Sequence, residues 1–122
     1  MRLSIFAAAV SAAACVWGAA AEAQTTRFDG HWSVQVLTER GDCDRAYRYP
    51  VIVQNGRIRY GGPEAFNASG RVAANGAVSG SIARGQDRAT VRGRLSGQWG
   101  QGAWATSGSR VCAGRWIAER RG

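Results

Sequence analysis

Lysine is missing from this chain: all of its sixteen basic residues are arginine. Histidine occurs once, at His31, proline only at Pro50 and Pro63, and methionine only at Met1. The sequence holds no Gly-x-Ser-x-Gly elbow, phosphate loop, Cys-x-x-Cys, Cys-x-x-Cys-His or spaced histidine set. These absences remove the usual signatures of serine hydrolases, nucleotide binders, thiol redox proteins, c-type heme and zinc sites. Asp42 and Asp44 flank Cys43, but Arg40 and Arg45 bracket them, which is the composition of a polar turn. No catalytic residue, metal site or cofactor is therefore expected. Beyond residue 24 no window sustains the three-and-four apolar spacing of an amphipathic helix.

At the start stands Arg2, then an apolar run from Leu3 to Trp17, then Ala21-Glu22-Ala23. A positive residue, a short apolar core and small residues at a cut have the layout of a secretory signal peptide. Cleavage after Ala23 is expected, leaving residues 24–122 as a single domain in the periplasm or outside the cell. No transmembrane span is expected after cleavage. A lipid anchor at Cys15 is a lesser alternative, because the usual preceding leucine is absent. The cysteines beyond the cut, Cys43 and Cys112, are then expected to form a disulfide in an oxidising compartment.

What remains reads as strand. Trp32, Val34 and Val36 alternate with Ser33 and Gln35, the pattern of a half-buried strand. A loop over Glu39–Ala46 follows. Tyr49–Gln54 and Arg57–Tyr60 flank Asn55-Gly56, the strongest short hairpin signal. A second Asn-Gly, Asn75-Gly76, lies between strand-like Ala65–Ala73 and Ala77–Ala83. Arg84–Asp87 reads as a turn into Arg88–Ser96. Gly97–Gln101 reads as another turn, leading to Gly102–Ser107, and Val111–Ala118 reads as the last strand. The expected fold is all-β: a small antiparallel up-and-down, calycin-like β-barrel of about eight strands with one disulfide, closed because closure removes unpaired edges.

Alternation also assigns faces. Val91, Gly93 and Leu95 oppose Arg92 and Arg94; Cys112, Gly114, Trp116 and Ala118 oppose Arg115; Ile58 and Tyr60 oppose Arg57 and Arg59. The arginines point outward, and a narrow, side-chain-filled interior is expected, with Gly80, Gly93 and Gly114 permitting close packing. Arg57, Arg59, Arg71, Arg92, Arg94, Arg115 and a turn-borne Trp99 are candidate surface-binding residues. The formal net charge of +8 favours polyanionic partners: anionic envelope components such as lipopolysaccharide or lipid, nucleic acid, or acidic proteins. An arginine-only basic set also follows from GC-rich codon usage. For heme, His31 is the candidate ligand, with Tyr47, Tyr49 and Tyr60 as alternatives. Asn67-Ala68-Ser69 matches a glycosylation sequon that a bacterial-type leader makes incidental.

Three resemblances rest on these residues. Phe28-Asp29-Gly30-His31-Trp32 with its alternating valines resembles the Gly-x-Trp start of lipocalin-like and avidin-like barrels. That resemblance implies that an arginine late in the chain, Arg115 or Arg120, packs over Trp32. Small periplasmic metalloprotease inhibitors are similar in size and architecture, although their disulfide joins cysteines close in sequence. The widest likeness combines Phe28-Asp29-Gly30-x-Trp32, Gly41-Asp42-Cys43-Asp44, Tyr49-Pro50-Val51-x-Val53, Asn55-Gly56-Arg57-Ile58 and the Cys112–Arg121 ending. It resembles an uncharacterised family of small exported proteins from rhizobia and related alphaproteobacteria, some of which carry heme-utilisation or adhesion labels.

The expected function is that of an exported, non-enzymatic binding module using its arginine surface or a barrel end. One alternative is a protease-inhibitor-like barrel whose segment Gln24–Phe28 enters a protease cleft. Another is a carrier of heme or a small apolar ligand.

Overall fold

The structure, a computed structural model, describes residues 26–63, 67–108 and 110–122. The leader, Cys15, the cleavage site, Gln24 and the expected strand start at Ala65 lie outside the described residues. Eight strands follow one another: β1 (Gly30–Arg40), β2 (Ala46–Gln54), β3 (Arg57–Tyr60), β4 (Asn67–Val72), β5 (Ala77–Arg84), β6 (Asp87–Ser96), β7 (Trp99–Ser107) and β8 (Ala113–Arg120). Each pairs antiparallel with the next, and β8 returns to β1, so the sheet closes into an up-and-down barrel. Among the described residues no helix is long and apolar enough to cross a membrane.

The hairpins set the register. At Asn55-Gly56 both central residues have positive φ, 53° and 74°, as a two-residue type I′ turn requires. The second Asn-Gly works differently. There the amide of Gly76 donates to the carbonyl of Ala73, Asn75 Oδ1 accepts from the amide of Ala77, and only Gly76 has positive φ, 94°. Ala74-Asn75-Gly76 thus makes a three-residue loop with glycine at the left-handed position.

Several sequence-based boundaries need correction: β2 starts at Ala46, before the expected Tyr49, and β1 runs to Arg40, so the expected Glu39–Ala46 loop shrinks to 41–45. The Gly97–Gln101 turn is only Gly97-Gln98: Gly97 supplies a φ of 62° at the first turn position, so Ser96 already pairs with Trp99. Trp99 is therefore a strand residue of β7, 58 % exposed on the outer face. The last strand begins at Ala113, not Val111. Before it, the Thr106 hydroxyl accepts from the amide of Cys112 at 2.7 Å and donates to the carbonyl of Arg110 at 2.6 Å, while the Thr106 amide donates to the Cys112 carbonyl at 2.9 Å, which holds this stretch as a cap on β7.

Phe28, Trp32, Val36, Val53, Val72, Val78, Leu95, Trp104, Trp116 and Ala118 make the core, with Cys112 beside them. Every buried indole finds an acceptor: Trp32 donates to the carbonyl of Phe28 at 2.9 Å, Trp104 to Leu37 at 3.2 Å and Trp116 to Arg92 at 3.1 Å. The Trp116 ring fits only because β6 and β7 present glycine to it. A Cβ on Gly102 would lie 2.6 Å from the ring, and one on Gly93 would also collide. The same bare backbone gives the indole access to the Arg92 carbonyl. Cys43 and Cys112 form the expected disulfide, tying the β1–β2 loop to the segment before β8 across 69 residues. A disulfide fits an oxidising compartment.

Candidate functional site

The barrel has one sealed end and one open end. At the sealed end, Phe28 is 5 % exposed and acts as the plug, while the Asp29 carboxylate accepts from the turn amides of Asn55 at 2.9 Å and Gly56 at 3.3 Å. The Arg120 guanidinium lies 5.0 Å from the Trp32 ring centroid. It donates to the carbonyls of Asp29 at 2.8 Å, Arg27 at 3.2 Å and Gly97 at 3.1 Å. The structure thus decides between the two candidate arginines. Arg120 covers Trp32, whereas Arg115 points outward, 3.6 Å from the Glu39 carboxylate.

The open end departs from the expected filled interior. Here the barrel holds a cup of about 530 Å³, walled by Tyr47, Tyr49 and Tyr60 on one side and by Ala89, Trp104 and Thr106 on another. The tyrosines stack edge to face, with ring centroids 5.0 Å apart for Tyr47–Tyr49 and 6.1 Å for Tyr49–Tyr60. Burial is the main cause that raises the Tyr47 phenol above its ordinary 10.0, and burial together with the Tyr47 contact raises Tyr49 further. Beneath the cup sits a second, apolar chamber of about 80 Å³. Val34, Val51, Ile82, Val91 and Trp116 line both spaces and form the layer between them.

On the outside, Arg57 and Arg59 of β3, Arg71 of β4, and Arg88, Arg92 and Arg94 of β6 share one face. The outward positions between them are small or neutral: Asn67, Ser69, Ala77, Ser79, Ser81, Ala83 and Thr90. No outward strand position from β3 to β6 carries a carboxylate. Arg57 stands directly opposite Arg71 in the β3–β4 register, and Ser79 links Arg71 to Arg92 through β5. A shallow groove of about 870 Å³ runs along Arg57, Arg59, Arg71 and Ser79.

Five of the seven candidate surface residues are therefore brought together: Arg57, Arg59, Arg71, Arg92 and Arg94. Arg115 and Trp99 lie apart, on β8 and β7, and Trp99 pairs with Ser96 and Glu119. His31 is exposed on the outer face of β1 near the sealed end, where its amide donates to the Gly122 carbonyl at 2.7 Å. It does not reach the cup, whereas the tyrosines do. Of the segment expected to enter a protease, Gln24 and Thr25 lie outside the described residues, and Phe28 is spent as the plug. Among the described residues no three His, Cys, Asp or Glu side chains converge as a metal site. Sequence reasoning missed the cup.

Comparison of the chain with protein-family models, curated proteins and solved structures finds no match.

Proposed function

We propose that this chain is an exported, non-enzymatic binding module that docks through the β3–β6 face onto phosphate-bearing lipid headgroups of the cell envelope. One observation carries the reading: Arg57, Arg59, Arg71, Arg88, Arg92 and Arg94 share a face on which no outward strand position is acidic. The Arg57–Arg71 pairing adds to it, because like charges directly opposite one another cost stability in an antiparallel sheet. An anionic partner turns that repulsion into attraction. Small side chains at Ser69, Ser79, Ser81 and Thr90 leave the guanidinium groups accessible to phosphate oxygens. The face has no outward aromatic residue on these strands, so it lacks the stacking platform used for single-stranded nucleic acid. The disulfide fits an oxidising compartment, as an exported module requires.

Vesicle sedimentation tests this. The oxidised protein should bind phosphatidylglycerol-containing vesicles at low salt and ignore pure phosphatidylcholine. Each arginine near such a surface contributes about 1 kcal/mol. The variant Arg57→Gln/Arg59→Gln/Arg71→Gln/Arg92→Gln should therefore lose roughly 100-fold or more in partitioning. Arg115→Gln/Arg121→Gln, which removes arginines that already face Glu39 and Glu119, should change it little. No binding at low salt, or equal losses in the two variants, would refute the reading; preference for duplex nucleic acid over vesicles would transfer the face to another partner.

A further inference from the structure

We infer that the open barrel mouth is a second, independent binding site, for a small amphiphile with an apolar tail and an acidic head group. Polarity is graded along the barrel axis. The lower chamber is walled by Trp32, Val53, Ile58, Val78, Leu95 and other apolar or small residues, with no charged side chain. Above it, the layer of Val34, Val51, Ile82, Val91 and Trp116 opens into the tyrosine-walled cup. The cup's volume of about 530 Å³ lies in the range of small-molecule sites, which combine a largely apolar lining with a few placed polar groups. Tyr47, Tyr49 and Tyr60 line the cup with aromatic surface and phenol oxygens.

The rim sets the sign of the head group. Arg84 continues the inward series Val78, Gly80, Ile82 along β5, and its charge acts on Tyr49; Arg110 acts in the same way on Tyr47. Arg88 also borders the mouth, as does Arg48, whose guanidinium donates to the Ser33 hydroxyl at 3.1 Å. Against these stand Asp44 and Asp87. Among the described residues at the mouth, Arg84, Arg88 and Arg110 outnumber Asp44 and Asp87, and a ligand carboxylate, sulfonate or phosphate fits there better than an ammonium. Entry with the tail first places each part of such a molecule against matching chemistry. Cys43 also lines the cup, so the disulfide holds part of the mouth in place.

The test uses 1-anilinonaphthalene-8-sulfonate as a fluorescent probe on the oxidised protein, with laurate, dodecanol and dodecylammonium as competitors. Saturable one-to-one enhancement is expected, with laurate displacing the probe at least about tenfold better than dodecylammonium. Ala89→Trp, which fills the cup, should abolish the enhancement. Arg84→Gln/Arg110→Gln alters only exposed side chains and should erase the preference for laurate while dodecanol competes as before. Its unchanged near-ultraviolet circular dichroism would show that the barrel is intact. The variant Arg57→Gln/Arg59→Gln/Arg71→Gln/Arg92→Gln should bind the probe normally, which separates this site from the outer face. Lack of saturable binding, equal competition by laurate and dodecylammonium, or loss of binding only in the outer-face variant would each overturn the proposal.

Discussion

Replacing Arg120 by Met should loosen the sealed end of the barrel far more than removal of any other single arginine. The substitution keeps a long apolar stem but deletes the guanidinium over Trp32 and its donations to the carbonyls of Asp29, Arg27 and Gly97. A hydrogen bond from a charged donor contributes about 1.5–3 kcal/mol net, and a partly desolvated cation–π contact about 1–2 kcal/mol. The side chain is half-buried and carries no carboxylate partner among the described residues, so part of that gain is spent on its own desolvation. We expect a net loss of about 2–4 kcal/mol, which for a domain of this size lowers Tm by roughly 10–25 °C. Arg120→Lys should recover less than half of it, because an ammonium cannot span three carbonyls and cover an indole at once. Arg115→Met removes only an exposed pair with Glu39 and should stay within about 0.5 kcal/mol of the parent. Thermal unfolding followed by tryptophan emission measures all three. Equal midpoints for Arg120→Met and Arg115→Met would refute the assignment of Arg120 as the clasp.

Two further outcomes are expected. Reducing the Cys43–Cys112 bridge, or replacing both cysteines by Ser, should lower stability by about 4 kcal/mol on the chain-entropy model for a closed loop of 69 residues; denaturant melts with and without reductant measure it, and a loss below about 1 kcal/mol would refute that estimate. Because burial raises the Tyr47 and Tyr49 phenols above 10.0 in the folded chain, the unfolded chain releases these protons first. Stability should therefore be unaffected by these groups below pH 10 and fall as pH rises past it. Tyrosine absorbance at 295 nm should show delayed ionisation relative to the unfolded chain, and coincident titrations would refute the buried placement of these rings.

Much of the barrel is written locally, and the reason is the periodicity of strands. Inward and outward residues alternate, so Trp116, Ala118, Val91 and Leu95 could be set against Arg115, Arg92 and Arg94 before any pairing was known. Asn55-Gly56 could be placed as a hairpin because its two positive φ values are demanded by the turn itself. Gly97 misled, because a glycine-rich stretch around Trp99 looks like a long turn while only one glycine bends the chain; Gly100 and Gly102 are glycine for the sake of Leu95 and Trp116. The cup was illegible for a different reason. An unfilled volume depends on which inward residues meet at one height across eight strands, and that is a property of register, not of any one segment.

This difference bears on how the motif Phe28-Asp29-Gly30-x-Trp32 should be used. Each residue in it has a task at the sealed end: Phe28 plugs, Asp29 caps the β2–β3 turn, Gly30 holds a φ of 136° beside Gly122, and Trp32 receives Arg120. These are closing devices of the sealed end. A likeness built on them reports how the barrel shuts and says nothing of what it binds. The residues that would discriminate among ligands sit at the other end, on β2, β3, β5 and the loops tied by the disulfide: Tyr47, Tyr49, Tyr60, Arg84 and Arg110. Two chains can share the whole closing motif and differ at every one of these positions. Function in this architecture is therefore better sought by comparing open ends and outer faces than by the motif that first attracts attention.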